Sequence, residues 1–517
     1  MNKYIKTGFF LATLTLGLIA CDRDALDVNP EDQLSTATFW KTESDALAGL
    51  AACYSTLKLG ESDWSMIPSG LRFPTGMDAL SDDGYAQYDG GAANTISFSG
   101  PTPNTGGFVY NFYFYDYRAI AIFNNFLANI GKVTMDEATR KVYIAEVKFL
   151  RAYHYFELAN LYGNIILVKE PATDSYKEPQ TKSSRDEVLA FVNEDLDAAV
   201  SDLPDKAYTD GHVVKGTAQA MKARVLLYQK KYAEAAALAK TVTSGGKFSL
   251  APSYSSLFAK PGQNNNPEIL FSVRQSSPNS YPMYGVDLAQ GSWLSAQPTQ
   301  DLVNEYEAKD GLPTSSSPLY DPAKPYENRD PRLRMTVFVP GDGPAQGWNQ
   351  YNSGSPTFVP FAGSNTTGFA AKKYLDLTKT NPQYGTISDQ DYVLIRYAEV
   401  LLNYAEAENE ANGPANAYAA VNQVRARVGM PALTAGLTQA QMRDKIRHET
   451  RVEFGLEGLR YYNLRRWGIA AQKLNNFVIV PGNTNLKNKI YQPTFDYWPI
   501  PQTDIDRNPA LVQNTGY

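Results

Sequence analysis

The residues of this 517-residue chain that are best suited to chemistry are few and dispersed. Its three histidines, His154, His212 and His448, stand far apart, and only one has a motif-like setting. His448-Glu449-Thr450-Arg451-Val452 opens like the HExxH of a zinc protease, but Val452 occupies the place of the second imidazole, so a metal would lack a ligand. Gly60-Glu61-Ser62-Asp63-Trp64 begins as a nucleophile elbow and lacks its last glycine. Gly341-Asp342-Gly343-Pro344-Ala345-Gln346 begins as a dinucleotide loop, fails at its sixth position and sits between prolines. No Gly-Lys-Ser/Thr phosphate cradle occurs. Glycoside hydrolysis asks only for two carboxylates at a suitable separation, and Asp82-Asp83 beside Tyr85 offers a pair; adjacent loop residues, however, seldom enter one cleft from opposite sides. These patterns point to no catalysis, no cofactor and no metal.

Recognition is the chemistry the composition favours. Aromatic residues make up 12% of the chain, as 34 Tyr, 23 Phe and 6 Trp. A polar, ring-shaped ligand has apolar faces, on which such rings stack, and a polar rim that pairs with Asp, Asn, Arg and Gln. The candidates for ligand contact are loop residues: Trp64, Arg72, Asp82, Asp83, Tyr85 and Tyr88 from a first region, and Tyr281, Tyr284, Trp293 and Trp348 from later ones. For each, the competing role is to pin a long loop to the scaffold. Nucleic acid is disfavoured by a net charge of -6, because phosphate binding needs a basic surface.

The elements that must carry these loops are helices. Ser44–Leu59 repeats Leu47, Leu50, Tyr54 and Leu57 at helical spacing and places Cys53 in the core. Thr139–Tyr162 sets Val142, Ala145, Phe149, Ala152, Tyr153 and Phe156 on one face and stops at Gly163. Ser184–Leu203 has Ser184 as a cap, Glu187 three residues on, and Pro204 past its end. Thr217–Lys230 and Tyr232–Thr243 form a tight pair, Tyr392–Ala411 and Pro414–Val428 a second, and Leu437–Phe454 follows with Thr438 as its cap. Ala223, Leu226, Tyr232 and Ala235 fit the small and large packing positions of tetratricopeptide repeats, in a degenerate spacing. Such pairs must stack to bury their faces. The expected fold is mainly α, a scaffold of degenerate tetratricopeptide-like repeats with long irregular loop-rich insertions and little β. Residues 39–517 form one domain, with scaffold at 39–59, 112–244 and 391–470 and loop-rich, ligand-facing regions at 60–111 and 249–388.

The start of the chain reads as a targeting signal. Lys3 and Lys6 precede an uncharged run, Phe9 to Ala20, too short to span a bilayer, which needs about 20 apolar residues. Residues 1–20 read as a signal peptide ending in Leu18-Ile19-Ala20-Cys21, which resembles a bacterial lipobox with Cys21 as the lipidated residue. Removing that segment takes away two lysines and no acid, moving the charge from -6 to -8. Residues 21–38, beginning Cys21-Asp22-Arg23-Asp24, read as a tether.

Several motifs resemble those of the SusD/RagB family of Bacteroidetes outer-membrane nutrient-binding lipoproteins. They are Leu26-Asp27-Val28-Asn29-Pro30, Phe39-Trp40-Lys41-Thr42-Glu43, the segment Ala145–Val168, Asn328-Arg329-Asp330-Pro331-Arg332-Leu333, Arg451–Gly468 and the tail Pro499–Tyr517. Leu459 and Asn463 stand where the family pattern has His and Asp. The resemblance implies a surface lipoprotein that lids a SusC-like TonB-dependent transporter, with repeats facing the transporter and loops holding an oligosaccharide. A RagB-like peptide ligand is the alternative within the family; a protein-interaction module and a glycoside hydrolase are the alternatives outside it. Trp40 and Trp467 are expected in the core, and Arg329, Arg332, Arg465 and Arg466 in structural ion pairs.

Overall fold

The computed structural model describes residues 39–58, 74–86, 92–171, 179–275, 297–340, 342, 366–375 and 389–517. The signal peptide, Cys21, the tether and the candidates Trp64, Arg72, Tyr88, Tyr281, Tyr284, Trp293 and Trp348 lie outside them. The longer helices are α1 (Glu43–Ser55), α2 (Phe108–Asn129), α3 (Glu137–Tyr162), α4 (Arg185–Asp202), α5 (Lys215–Tyr228), α6 (Tyr232–Ser244), α7 (Tyr397–Asn412), α8 (Ala417–Arg427) and α9 (Gln439–Glu453). The mainly α expectation holds.

Local chemistry explains the helix ends. Thr42, Ser184 and Thr438 each open a reciprocal capping box, with Asp45, Glu187 and Gln441 as the answering side chains. Asp136 caps α3 by accepting from the Thr139 amide at 2.9 Å. That helix ends at Gly163, whose φ of +72° suits glycine and whose missing Cβ leaves room for the Tyr497 ring. Successive helices then pack as neighbours: α2 on α3, α3 on α4, α4 on α5, α5 on α6. After a long excursion the chain returns, and α7 docks on α6 and carries α8 and α9. Small residues make the join close, since Ala235 and Ala236 of α6 and Ala407 of α7 pack with Leu226 and Leu227 of α5.

The excursion is tied down by short antiparallel strand pairs. Gly84–Tyr85 (β1) pairs with Gln297–Pro298 (β3), Ile269–Val273 (β2) with Tyr392–Arg396 (β6), and Val337–Phe338 (β4) with Ala370–Ala371 (β5). Two expectations change here. Residues 392–396 form a strand ahead of α7 instead of its first turn, and residues 269–273, expected in a loop-rich region, form its partner. Both strands are buried on both faces almost throughout, so their sequences lack the alternation that marks a half-exposed strand. Trp40 and Cys53 lie in the main core, while Trp467 is half-buried with its Nε1 donating to Glu406 at 3.0 Å.

Candidate ligand-binding site

The regions expected to face ligand are stitched together at their roots. β1 and β3 join the first region to the second. Below that pair, Thr299 donates its amide to the Asp83 carbonyl at 3.0 Å and its hydroxyl to the Asp82 carbonyl at 2.5 Å. The buried Gln297 side chain adds a later part of the second region, its Oε1 accepting from the amides of Thr366 and Thr367 at 2.9 and 3.1 Å. Around this junction Tyr85, Asn94, Phe98, Thr366 and Thr367 are partly exposed. The Tyr85 and Phe98 rings are 6.4 Å apart and tilted by 38°, and Asn94 donates to the Ala86 carbonyl at 2.7 Å. Such a mixture of ring faces, amide and hydroxyls suits a polar ring-shaped ligand. Of the ten sequence candidates the described residues include Asp82, Asp83 and Tyr85, and Tyr85 alone of these keeps exposed surface. Phe98 is an addition; weighing Tyr and Trp in loops leaves out a Phe on the short helix Ala93–Ser99.

Asp82 and Asp83 move from the ligand face to the interior, each 1% exposed. Asp82 receives a bidentate pair from Arg460, at 2.8 and 2.7 Å. Asp83 accepts from Arg451 Nε at 2.7 Å, and the same guanidinium reaches Asp301 at 2.6 Å and Glu305 at 3.0 Å. Burial would raise the Asp82 carboxyl, but Arg451 and Arg460 outweigh it and hold it well below the usual range. Burial and the neighbouring Asp82 charge leave Asp83 raised instead. These carboxylates anchor the loop, and the pair offered for glycoside hydrolysis is committed to arginines. Lys489 completes the anchor by donating from Nζ to the carbonyls of Ala79, Ser81 and Gly84 at 2.6, 2.5 and 2.8 Å. Burial pulls Lys489 down to about 7 against the opposing pull of Asp82, Asp83 and Asp78, and its three acceptors match the three protons of an ammonium. Gly458 donates its amide to Asp78 at 2.7 Å.

A larger charged lattice lies behind this anchor. Arg332 contacts Asp330, Glu449 and Glu453 at 2.7, 2.6 and 2.9 Å. Arg396 reaches Glu268, Glu453 and Glu457 at 2.9, 2.5 and 2.8 Å. Arg427 contacts Glu268 and Glu453, and Arg425 bridges Glu307 and Glu449. The expected ion pairs of Arg332 and Arg466 are present, the latter on Glu406. Arg329 and Arg465 differ. Arg329 donates to the carbonyls of Val303, Tyr306 and Pro325, and Arg465 to those of Asn160 and Asp496. A guanidinium has five donors, so carbonyls at a chain bend serve it as well as one carboxylate.

One arrangement imitates a nucleophile relay. His154 lies 2.8 Å from Asp116 and 3.4 Å from the Thr56 hydroxyl. All three are 2% exposed or less, and the Thr56 hydroxyl donates to the Cys53 carbonyl at 2.7 Å, so the group is a structural knot with no access for substrate. His212 pairs with Glu146 at 2.9 Å, and His448 Nε2 lies 2.8 Å from the Glu305 carbonyl.

Comparison with known proteins places this architecture. The profile of the SusD family matches residues 258–517, and one described as "Starch-binding associating with outer membrane" matches residues 101–227. SusD-like protein P2 of Formosa agariphila is 28% identical over all of both chains. The starch-binding protein SusD of Bacteroides thetaiotaomicron is 24% identical, again over all of both chains. A crystal structure of a SusD-like carbohydrate-binding protein from Bacteroides fragilis superposes with a TM-score of 0.78 at 27% identity, covering 92% of this chain and all of that one. With its C-terminal half matched by the family profile and its fold shared along nearly its whole length, the chain belongs to the SusD family.

Proposed function

We propose that this protein is a cell-surface lipoprotein that captures oligosaccharides at the junction of its loop-rich regions and passes them to a SusC-like TonB-dependent transporter, without cleaving them. The observation that carries the reading is the joining of β1, β3, Thr366 and Thr367 through Gln297, which sets Tyr85 and Phe98 at one partly exposed patch. Relatives named as starch-binding and carbohydrate-binding support a glycan as the ligand. The family description supports the outer membrane, and the lipobox-like Leu18-Ile19-Ala20-Cys21 supports a lipid anchor on Cys21. The remaining candidates Trp64, Arg72, Tyr88, Tyr281, Tyr284, Trp293 and Trp348 belong to this site in the proposal, with Tyr85 and Phe98 at its base.

Calorimetric titration of the form beginning after Cys21, against a panel of polysaccharides and peptides, tests it. Saturable binding to one glycan class, weakened roughly fivefold by Tyr85→Ala and unaccompanied by shortened products, is the expected result, a ring contact being worth about 1 kcal/mol. Peptide binding without glycan binding would move the protein to the peptide-capturing alternative, and release of reducing ends would overturn the non-hydrolytic reading.

A further inference from the structure

The helical scaffold carries a cavity that none of the junction residues lines. A cleft of about 900 Å³ opens where the end of α3, the flank of α4 and the α5–α6 turn meet the short helix Arg460–Arg466 and Tyr497. Its walls include Arg185, Asn193, Gln229, Arg465 and the Tyr497 ring, which is 40% exposed. The other buried arginines, Arg329 apart, meet carboxylates among the described residues: Arg151 meets Asp195, Arg224 meets Glu399, Arg460 meets Asp82, and Arg466, on this same wall, meets Glu406. Arg185 and Arg465 are the exceptions on this wall. Arg185 Nη2 reaches the Asn160 amide oxygen at 3.4 Å, and Arg465 Nη2 donates to the carbonyls of Asn160 and Asp496. The Nε of each is buried and has no acceptor among the described residues. Asn193 spends its amide nitrogen on the Leu189 carbonyl and Gln229, and its oxygen also has no partner there.

Two guanidiniums held by neutral acceptors beside an open cleft ask for an anion, and their forked donors fit a carboxylate. The rest of the wall suits hydroxyls and a ring face: Gln229 and the carboxylates of Asp186 and Asp197 for the former, Tyr497 for the latter. A peptide strand would need partners along its backbone, whereas helical walls keep their amides and carbonyls for themselves. We propose that this cleft is a second saccharide site, selective for an acidic sugar whose ring carboxylate is received by Arg185 and Arg465. It goes beyond the loop-junction reading and shares no residue with it.

The test is titration of the form beginning after Cys21 with trigalacturonate and with the neutral maltotriose at low ionic strength. Trigalacturonate is expected to bind, with affinity falling as salt is added, and maltotriose is expected not to displace it. Arg185→Gln should weaken trigalacturonate roughly tenfold, the loss of one charge-assisted hydrogen bond. Tyr85→Ala should leave that affinity unchanged, which separates this site from the junction. Hydrogen exchange on the unaltered protein supplies a readout independent of any variant's folding: trigalacturonate should slow amides in residues 185–197 and 460–466. Absence of trigalacturonate binding, equal affinity in a folded Arg185→Gln protein, protection confined to other segments, or binding of an equally charged acidic peptide in place of the sugar would each overturn the proposal.

Discussion

Arg332 has no exposed surface and contacts three carboxylates, those of Asp330, Glu449 and Glu453. Removing a buried charge strands its partners, at a cost larger than the pair's own net worth. Arg332→Met should therefore cost about 3–5 kcal/mol in chemical denaturation; a loss under about 1 kcal/mol would mean that the carboxylates find other cations. The same lattice sets the acid limit of the fold. Burial would raise Glu453, but Arg427, Arg396 and Arg332 hold it well below the usual carboxylate range, and Asp82 is lowered in the same manner. A carboxylate depressed in the folded state contributes stability that is complete above its unfolded pKa of about 4 and drains away as pH falls through the folded value. Asp78 and Asp83, raised by burial, work in the opposite sense and lose stability as pH climbs above that range. The thermal midpoint of the wild type should fall as pH drops below about 4, and Glu453→Gln should flatten that fall; an unchanged slope would show that other acids govern it. The structural role of Arg332 was legible because its motif is local. That of Asp82 was not, because Arg460 stands 378 positions away and only the folded chain brings the two together.

At the level of elements, the helices were readable because their signals are short-range. Thr438 with Gln441, and Ser184 with Glu187, announce helix starts within four residues, and Gly163 and Pro204 announce ends. The strands were not. Tyr392–Arg396 continues into α7 without a break and is buried on both faces, so its apolar run reads as helix until Ile269–Val273 is seen beside it. The caps also have consequences for the charged lattice. α9 supplies Glu449, Arg451 and Glu453, so fraying of its first turn loosens the element on which the lattice is built. Thr438→Ala removes the hydroxyl that accepts from the Gln441 amide and should cost about 1 kcal/mol. Thr438→Asp, which keeps an acceptor at the cap and suits the helix dipole, should recover most of that loss. Equal denaturation midpoints for Thr438→Ala and the wild type would show that α9 is held by packing alone.

For the molecule as a whole, the division of labour lies between a scaffold whose contacts are mostly between successive helices and a set of loop roots joined across long sequence distances. The helical scaffold could be foreseen from periodicity. The meeting of residues 84–85, 297–299 and 366–367 could not, since it depends on residues such as Gln297 and Thr299 that have no distinctive sequence setting. If the junction is the ligand site, cutting it should separate affinity from stability. Gln297 is fully buried, and its side-chain oxygen takes the amides of Thr366 and Thr367. Gln297→Ala leaves two amides without that acceptor, a local penalty of about 1–3 kcal/mol each, offset where water reaches them. Because this tie lies outside α1 to α9, the global denaturation midpoint should move less than in Arg332→Met. Glycan affinity should fall roughly tenfold as Thr366 and Thr367 lose their fixed position at the junction. Calorimetry and denaturation on the two variants side by side decide the matter. Loss of affinity with a near-native midpoint in Gln297→Ala assigns the junction to recognition, whereas a lowered midpoint with unchanged affinity would return it to the core and send the search for the glycan elsewhere on the surface.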